Sequence, residues 1–210
     1  MQLTLSELTP GKRYHVLSSL VVPRPIAWVT TLNENGSVNA APFSYFQLMG
    51  ENPALCVLGI GRRSDGTMKD TLGNIRRARE FVINLVTEEN AELMNLCATD
   101  FPRGMSEVAT LKLATEPSSV VKPPRLAVSP ANFEAREVQT LLIGGNQILM
   151  GELLVVHVRD EFIDPKTLRI RTSDMHMVGR MQGGGGGYTR TRDCFEIERL
   201  NYEQWQARER

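Results

Sequence analysis

Residues 22–46 read VPRPIAWVTTLNENGSVNAAPFSYF, and the pattern is two strands folded back on each other. The first arm, Ile26 to Leu32, mixes apolar, aromatic and β-branched residues, which suit a pleated, half-buried surface better than a helix. Asn33-Glu34-Asn35-Gly36 then supplies an Asn-Gly pair, which tolerates positive φ and lets a hairpin close with the right twist. The second arm, Ser37 to Ala41, is built of small residues ending at Pro42, so a ligand can come close to its backbone. Upstream, Val21 to Pro25 is held extended because each proline disfavours helix in the residue before it.

The next segment carries the most chemistry. Ala54 to Gly61, ALCVLGIG, is a continuous apolar run of strand length and reads as a strand buried on both faces. Arg62, Arg63, Lys69 and the hydroxyls of Ser64, Thr67 and Thr71 crowd its passage into a helix running to about Arg79. A helix start offers unpaired N–H groups and a positive dipole end, so with these side chains it can hold a phosphate. Thr67-x-x-Asp70 fits the looser form of a capping box. A capped surface helix with solvated basic residues explains the same local pattern; the hairpin upstream favours the phosphate. The segment is not a P-loop, because Thr67-Met68 stands where Lys-Ser or Lys-Thr is required.

Composition removes whole classes of function. Lysine plus arginine equals aspartate plus glutamate at 24 each, which argues against nucleic acid as a partner, since such binding runs on excess positive charge. No stretch approaches the roughly 18 apolar residues of a membrane span, and no leader pattern opens the chain, so a cytoplasmic protein is expected. Cys56, Cys97 and Cys194 have no metal or disulfide spacing and read as free buried thiols. His15 and His157 stand alone and read as structural, and no metal site is expected. The 210 residues contain no low-complexity linker, so a single domain over 1–210 is expected.

Further elements follow in order. Ser6 to Ser19 reads as a short capped turn or helix broken at Pro10-Gly11, with Tyr14 to Leu20 leading into the first strand. Glu80 to Val86 reads as a strand and Glu88 to Ala98 as an amphipathic helix, with a turn at Phe101 to Gly104 and a helical start at Ser106-Glu107. Phe133 to Ile143 and Ile148 to Arg159 flank a turn at 144–147 and make a second hairpin. Met181 to Arg192, MQGGGGGYTRTR, lacks the strand-before, helix-after context of a dinucleotide fingerprint and reads as a flexible loop over a site or against a partner chain. Cys194 to Leu200 reads as a last strand and Asn201 to Arg210 as a polar tail.

The pairing of PRPIAWVTT with NAAPFSYF, the segment Arg63 to Thr71 (RSDGTMKDT), Pro102 to Glu107 (PRGMSE) and Met177 to Tyr188 together resemble the flavin reductase-like family, over roughly Ser18 to Glu198. The resemblance implies a β-rich α+β fold, an FMN-binding split β-barrel of Greek-key type with peripheral helices. It implies that Arg63, Lys69 and Thr71 hold the FMN phosphate and that the hairpin holds the ring, largely through backbone, at Trp28, Val29 and Thr30 and at Asn39, Ala41, Pro42, Phe43 and Ser44. Arg180 and Tyr188 correspond to residues near the cofactor, Ser106 and Glu107 to pocket-shaping positions, and the assembly to a homodimer. The expected activity is transfer of hydride from NADH or NADPH to flavin, with Arg180, Arg190 and Arg192 as candidate cations for the dinucleotide. The alternatives are a flavodoxin-like or flavoredoxin-like electron-transfer flavoprotein and a non-redox flavin-binding module. No catalytic residue is singled out.

Overall fold

The computed structural model describes residues 1–208. In chain order it forms α1 (Pro10–Leu20), β1 (Ala27–Leu32), β2 (Val38–Phe43), β3 (Phe46–Glu51), β4 (Ala54–Ile60), α2 (Asp70–Ala78), β5 (Glu80–Leu85), α3 (Ala91–Leu96), α4 (Glu107–Thr110), β6 (Thr115–Glu116), β7 (Arg125–Leu126), β8 (Ala131–Ile143), β9 (Asn146–Val158), β10 (Val178–Arg180), β11 (Tyr188–Arg190) and α5 (Tyr202–Arg208). Seven strands make one antiparallel sheet in the order β2-β1-β5-β8-β9-β4-β3. β2 and β3 stand at opposite ends of that order, yet only Ser44 and Tyr45 separate them in the chain. Two residues reach less than about 11 Å, so the sheet has to curl until its two ends meet. Tyr45 sits at the seam, its carbonyl accepting from the Gly59 N–H at 2.7 Å.

The opening hairpin forms as its sequence predicts. β1 and β2 pair from Ala27↔Phe43 to Leu32↔Val38, and Gly36 takes φ 80° in the turn. β1 is an interior strand, paired with β5 on its other side from Ala27 to Thr30. Its two faces feed two cores. Ala27 and Val29 pack with Phe43, Leu58, Leu72, Ile75 and Phe81 inside the curl. Ile26 and Trp28 pack outside it with Met94, Cys97, Val108 and Leu126. The second hairpin closes on Gly144-Gly145, with Ile143 opposite Asn146, one residue pair tighter than the predicted four-residue turn.

α4 covers the free edge of β2. The Ser106 hydroxyl donates to the Val38 carbonyl at 2.5 Å and the Glu107 carboxylate accepts from the Ala40 N–H at 2.9 Å. The main-chain groups of Val38 and Ala40 therefore point away from β1, and by the two-residue alternation so do those of Pro42. Proline costs the ladder nothing there.

Several elements differ from expectation. Pro10-Gly11 starts a helix instead of breaking one: Pro10 occupies its first position, where no N–H is needed, and Thr9 caps it by accepting from Lys12 N at 3.4 Å. Thr67 does not cap α2; its hydroxyl turns back to Asp65 at 2.6 Å, and Lys69 is the capping residue without a side-chain cap. β4 buries only the face carrying Cys56, Leu58 and Ile60, the other being half-buried. α3 begins at Ala91 because Asn90 accepts from the Thr87 N–H in a preceding turn. Cys194 to Leu200 forms no regular element and pairs with no strand among the described residues, leaving Phe195 and Ile197 exposed, and Tyr202–Arg208 within the expected tail is helical. The last two residues of that tail lie outside the described residues.

Cys56 and Cys97 are buried, which pushes their thiols up to about 11 and about 12, whereas Cys194 is exposed, contrary to expectation. Glu134, on β8, is fully buried, and burial pushes its carboxyl up. Bonds from the N–H groups of Ser119, Val120 and Val121 and from His157 outweigh that and hold it at about 2. His157 is thus structural, as read. His15 is too: its Nδ1 donates to the Gly183 carbonyl at 2.9 Å. No helix among the described residues is long and apolar enough to cross a membrane.

Candidate functional site

Three clefts meet at the N-terminus of α2. The largest, about 660 Å³, runs between Pro42-Phe43-Ser44-Tyr45, the end of β4 at Gly59 to Arg62, and the tip of the second hairpin at Asn146 to Ile148, with Tyr14 of α1 at its rim. A second, of about 80 Å³, lies between Asn39, Ala41 and Pro42 of β2, the start of α2 and the Cys97 to Phe101 turn, with Glu107 at its wall. The third, about 560 Å³, opens on the other side of α2 against the hairpin turn Asn33 to Asn35. Lys69 borders all three.

The polar groups of the small cleft are laid out by an amide network. Asn39 donates its two N–H bonds to Thr31 at 3.3 Å and Thr71 at 3.0 Å, and Asn74 donates to Thr31 at 3.0 Å and Asn33 at 2.9 Å. Because the Thr71 oxygen accepts from Asn39, its own hydrogen is left to donate elsewhere, and no acceptor within the described residues takes it. α2 begins without a side-chain cap, so its first N–H groups face the same space. Lys69 makes no side-chain hydrogen bond or ion pair among the described residues. Arg63 is partly engaged, at 3.4 Å from Asp70 and donating to the Phe101 carbonyl at 2.5 Å. Burial pushes the Glu107 carboxyl up, against the lowering bond from Ala40, and the nearby Asp70 charge adds to the rise. A hydroxyl donor, an ammonium and an uncapped helix start make a donor set suited to a phosphate.

The large cleft is apolar in its walls with polar points. Gln147 is buried and its Nε2 has no partner among the described residues. Beyond Ala40 the outward edge of β2 offers carbonyls but no N–H at Pro42. Beneath the rim, Arg24 is buried: its Nε donates to Ser44 at 3.4 Å, and its Nη1 to the carbonyls of Ser18, Val21 (3.0 Å) and Met181 (2.8 Å). Tyr14 and Tyr45 approach with ring centres 6.3 Å apart. Burial raises the Tyr45 phenol, and Tyr14 adds to the rise.

The structure thus brings Asn39, Ala41, Pro42, Phe43, Ser44, Arg63, Lys69 and Thr71 to adjoining clefts. It does not bring Trp28, Val29 or Thr30 there: all three are buried, and their backbone is paired with both β2 and β5. Arg180 and Tyr188 stack on each other at 4.8 Å on the hairpin β10–β11 and border none of the three clefts. Arg190 and Arg192 each lie 2.6 Å from Glu88, whose one carboxylate offsets one of their two charges. Sequence reading missed Gln147, Tyr14 and Tyr45. The signal for Gln147 was its parity: it shares the inward face of β9 with Leu149 and Gly151.

Residues 18–176 match the family model described as flavin reductase like domain. A 2-nitrobenzoate 2-nitroreductase from Pseudomonas fluorescens is 34% identical, covering 96% of this chain and 98% of its own, with a TM-score of 0.87. Nitrilotriacetate monooxygenase component B from Bacillus cereus is 26% identical over 94% of this chain and 98% of its own, with a TM-score of 0.88. A split-barrel-domain protein from Shewanella frigidimarina shares the fold at TM-score 0.78 and 21% identity, over 94% of this chain and 96% of its own. The curled seven-stranded sheet is therefore a split β-barrel, and the chain belongs to the flavin reductase-like family.

Proposed function

We propose that the chain binds FMN with the phosphate in the small cleft and the ring in the large one, and that it is an oxidoreductase in which a nicotinamide dinucleotide delivers hydride to the flavin. The observation that carries this reading is the unspent Thr71 hydrogen beside Lys69 at the uncapped start of α2. Thr71, Lys69 and the first N–H groups of α2 hold the phosphate, and Arg63 joins them by turning from Asp70. The Pro42 carbonyl on the β2 edge and the Gln147 amide supply an acceptor and a donor for the ring's polar rim. Trp28, Val29 and Thr30 act as the buried floor that fixes the position of β2. Bound FMN supplies the redox chemistry; the chain supplies position, charge and exclusion of water.

Likeness to a nitroreductase supports redox turnover, and the open mouth of the large cleft leaves room for a second planar molecule to stack. A homodimer fits the exposed apolar residues Leu48 and Met49 on the uncovered edge strand β3, and two-fold pairing is the commonest closed assembly. Two measurements test the proposal. Apo-protein titrated with FMN should quench flavin fluorescence saturably at micromolar concentration, and anaerobic NADH or NADPH should bleach the bound flavin. No saturable binding ends the FMN reading. Reduction by dithionite but by neither nucleotide replaces the enzyme with an electron carrier.

A further inference from the structure

We propose that Glu107 meets the FMN phosphate as a neutral carboxylic acid, taking a proton from solvent as the phosphate enters and donating it in a hydrogen bond to a phosphate oxygen, an assignment that rests on the functional reading above. The charge of the small cleft calls for it. Arg63 and Lys69 are the cations that line this cleft, but Asp70, Asp100 and Glu107 line it too. A phosphate brings about two more negative charges at neutral pH. With all three carboxylates ionised, the side chains together would repel it.

Of the three, Glu107 is the one placed to give up its charge. Asp70 lies 3.4 Å from Arg63 and 3.5 Å from Arg103, so Arg103 still compensates it when Arg63 turns to the phosphate. Asp100 is exposed and solvated. Glu107 is only 7% exposed. Its Oε2 accepts from the Ala40 N–H at 2.9 Å, which fixes the carboxyl against β2, and its Oε1 has no hydrogen-bond partner among the described residues. A neutral carboxyl held this way keeps one oxygen as acceptor and makes the other a donor. The groups around it leave no other proton source. β2 and the rest of α4 carry no titratable side chain, and Cys97 on the facing turn is a neutral thiol pushed up to about 12. Burial pushes the Glu107 carboxyl up before any ligand arrives, and the Asp70 charge adds to the rise against the Ala40 bond and the Arg63 charge. A phosphate at the same wall raises it further.

The complex then holds more protons than protein and ligand hold apart, so FMN should bind more tightly as pH falls and more weakly as pH rises. The test is calorimetric titration of apo-protein with FMN, and separately with riboflavin, at pH 8 in two buffers of different ionisation enthalpy, neither of them phosphate. FMN should bring uptake of about 0.5–1 proton, which corresponds to a loss of affinity of about threefold to tenfold per pH unit. Riboflavin should bring none, and its affinity should be flat in pH. Glu107→Gln keeps an acceptor for the Ala40 N–H and puts an amide N–H where the acid would donate. It should bind FMN without proton uptake, with a Kd independent of pH and at least about threefold below that of the unaltered protein at pH 8. The phosphorus resonance of FMN bound to the unaltered protein should keep the dianion position at pH 8, a measurement that decides if the variant fails to fold.

Three results overturn the assignment: no difference in proton uptake between FMN and riboflavin, uptake that persists in Glu107→Gln, or a phosphorus resonance at the monoanion position, which puts the proton on the ligand. Each leaves the FMN reading standing. Riboflavin binding as tightly as FMN at every pH instead removes the phosphate site on which the assignment rests.

Discussion

Lys69→Ala is the sharpest perturbation of the proposed phosphate site, because the lysine contributes to nothing else. Its ammonium makes no side-chain bond among the described residues, so folding stability should change by less than about 0.5 kcal/mol. Thr71→Val is less clean: it would orphan the buried Asn39 amide, at a cost of about 1–3 kcal/mol to the fold itself. A charge-assisted contact to phosphate is worth about 1.5–3 kcal/mol, and since Lys69 borders three open clefts the lower end applies. About 1.4 kcal/mol is tenfold in affinity, so FMN should bind roughly tenfold more weakly. Riboflavin, which has no phosphate, should be unaffected. The assay is flavin fluorescence quenching by apo-protein with each ligand at low and high salt, and the FMN loss should narrow as salt rises. Equal losses for the two ligands, or no loss for FMN, would refute the placement of the phosphate at α2.

Other outcomes are open to direct measurement. Glu134 is held at about 2 against an ordinary 4.5, so its stabilisation is complete above about pH 4.5 and lost as pH falls toward 2. The shift corresponds to about 3 kcal/mol, and urea unfolding should show a steep acid limb that flattens in Glu134→Gln. Gly183→Ala would place a Cβ 1.9 Å from the Ser18 hydroxyl, so its melting temperature should drop by several degrees and recover in part when Ser18→Ala is added. One thiol, Cys194, should react quickly with a disulfide reagent and the buried Cys56 and Cys97 only on unfolding; three fast thiols would contradict the burial. Light scattering of the FMN-loaded protein should give about twice the 23.5 kDa chain mass, and a monomer mass would remove the proposed dimer.

What sequence could and could not reveal divides along the range of the interactions involved. The opening hairpin was legible because its cause is local: an Asn-Gly turn between two strand-forming arms. The start of α2 was legible as a cluster of donors and cations for the same reason, since helix-start chemistry lies within nine residues. Trp28 to Thr30 were expected at the ligand from the family resemblance, and nothing local says that β1 is interior; that depends on pairing with β5, more than fifty residues later. Cys194 to Leu200 has the alternation of a strand, but alternation names only a face, and the described residues offer it no partner. Pro10 was read as a breaker because the chemistry of proline at a first helical position differs from that at an interior one. Tyr14, Tyr45 and Gln147 meet across more than a hundred residues, which periodicity cannot bring together.

Arg24 ties helix α1 to the rest of the molecule. Its guanidinium holds the last carbonyls of the helix and that of Met181, its backbone pairs with Arg180 in both directions at 2.9 and 2.8 Å, and His15 holds Gly183. The helix and the glycine-rich hairpin are therefore one cooperative unit of opening, although more than 150 residues of chain lie between them. Neither can loosen without releasing the other, so the amides of both should exchange with solvent at a common free energy below that of global unfolding. Because Tyr14 rides on that helix at the rim of the large cleft, this joint opening would widen a mouth that is already open.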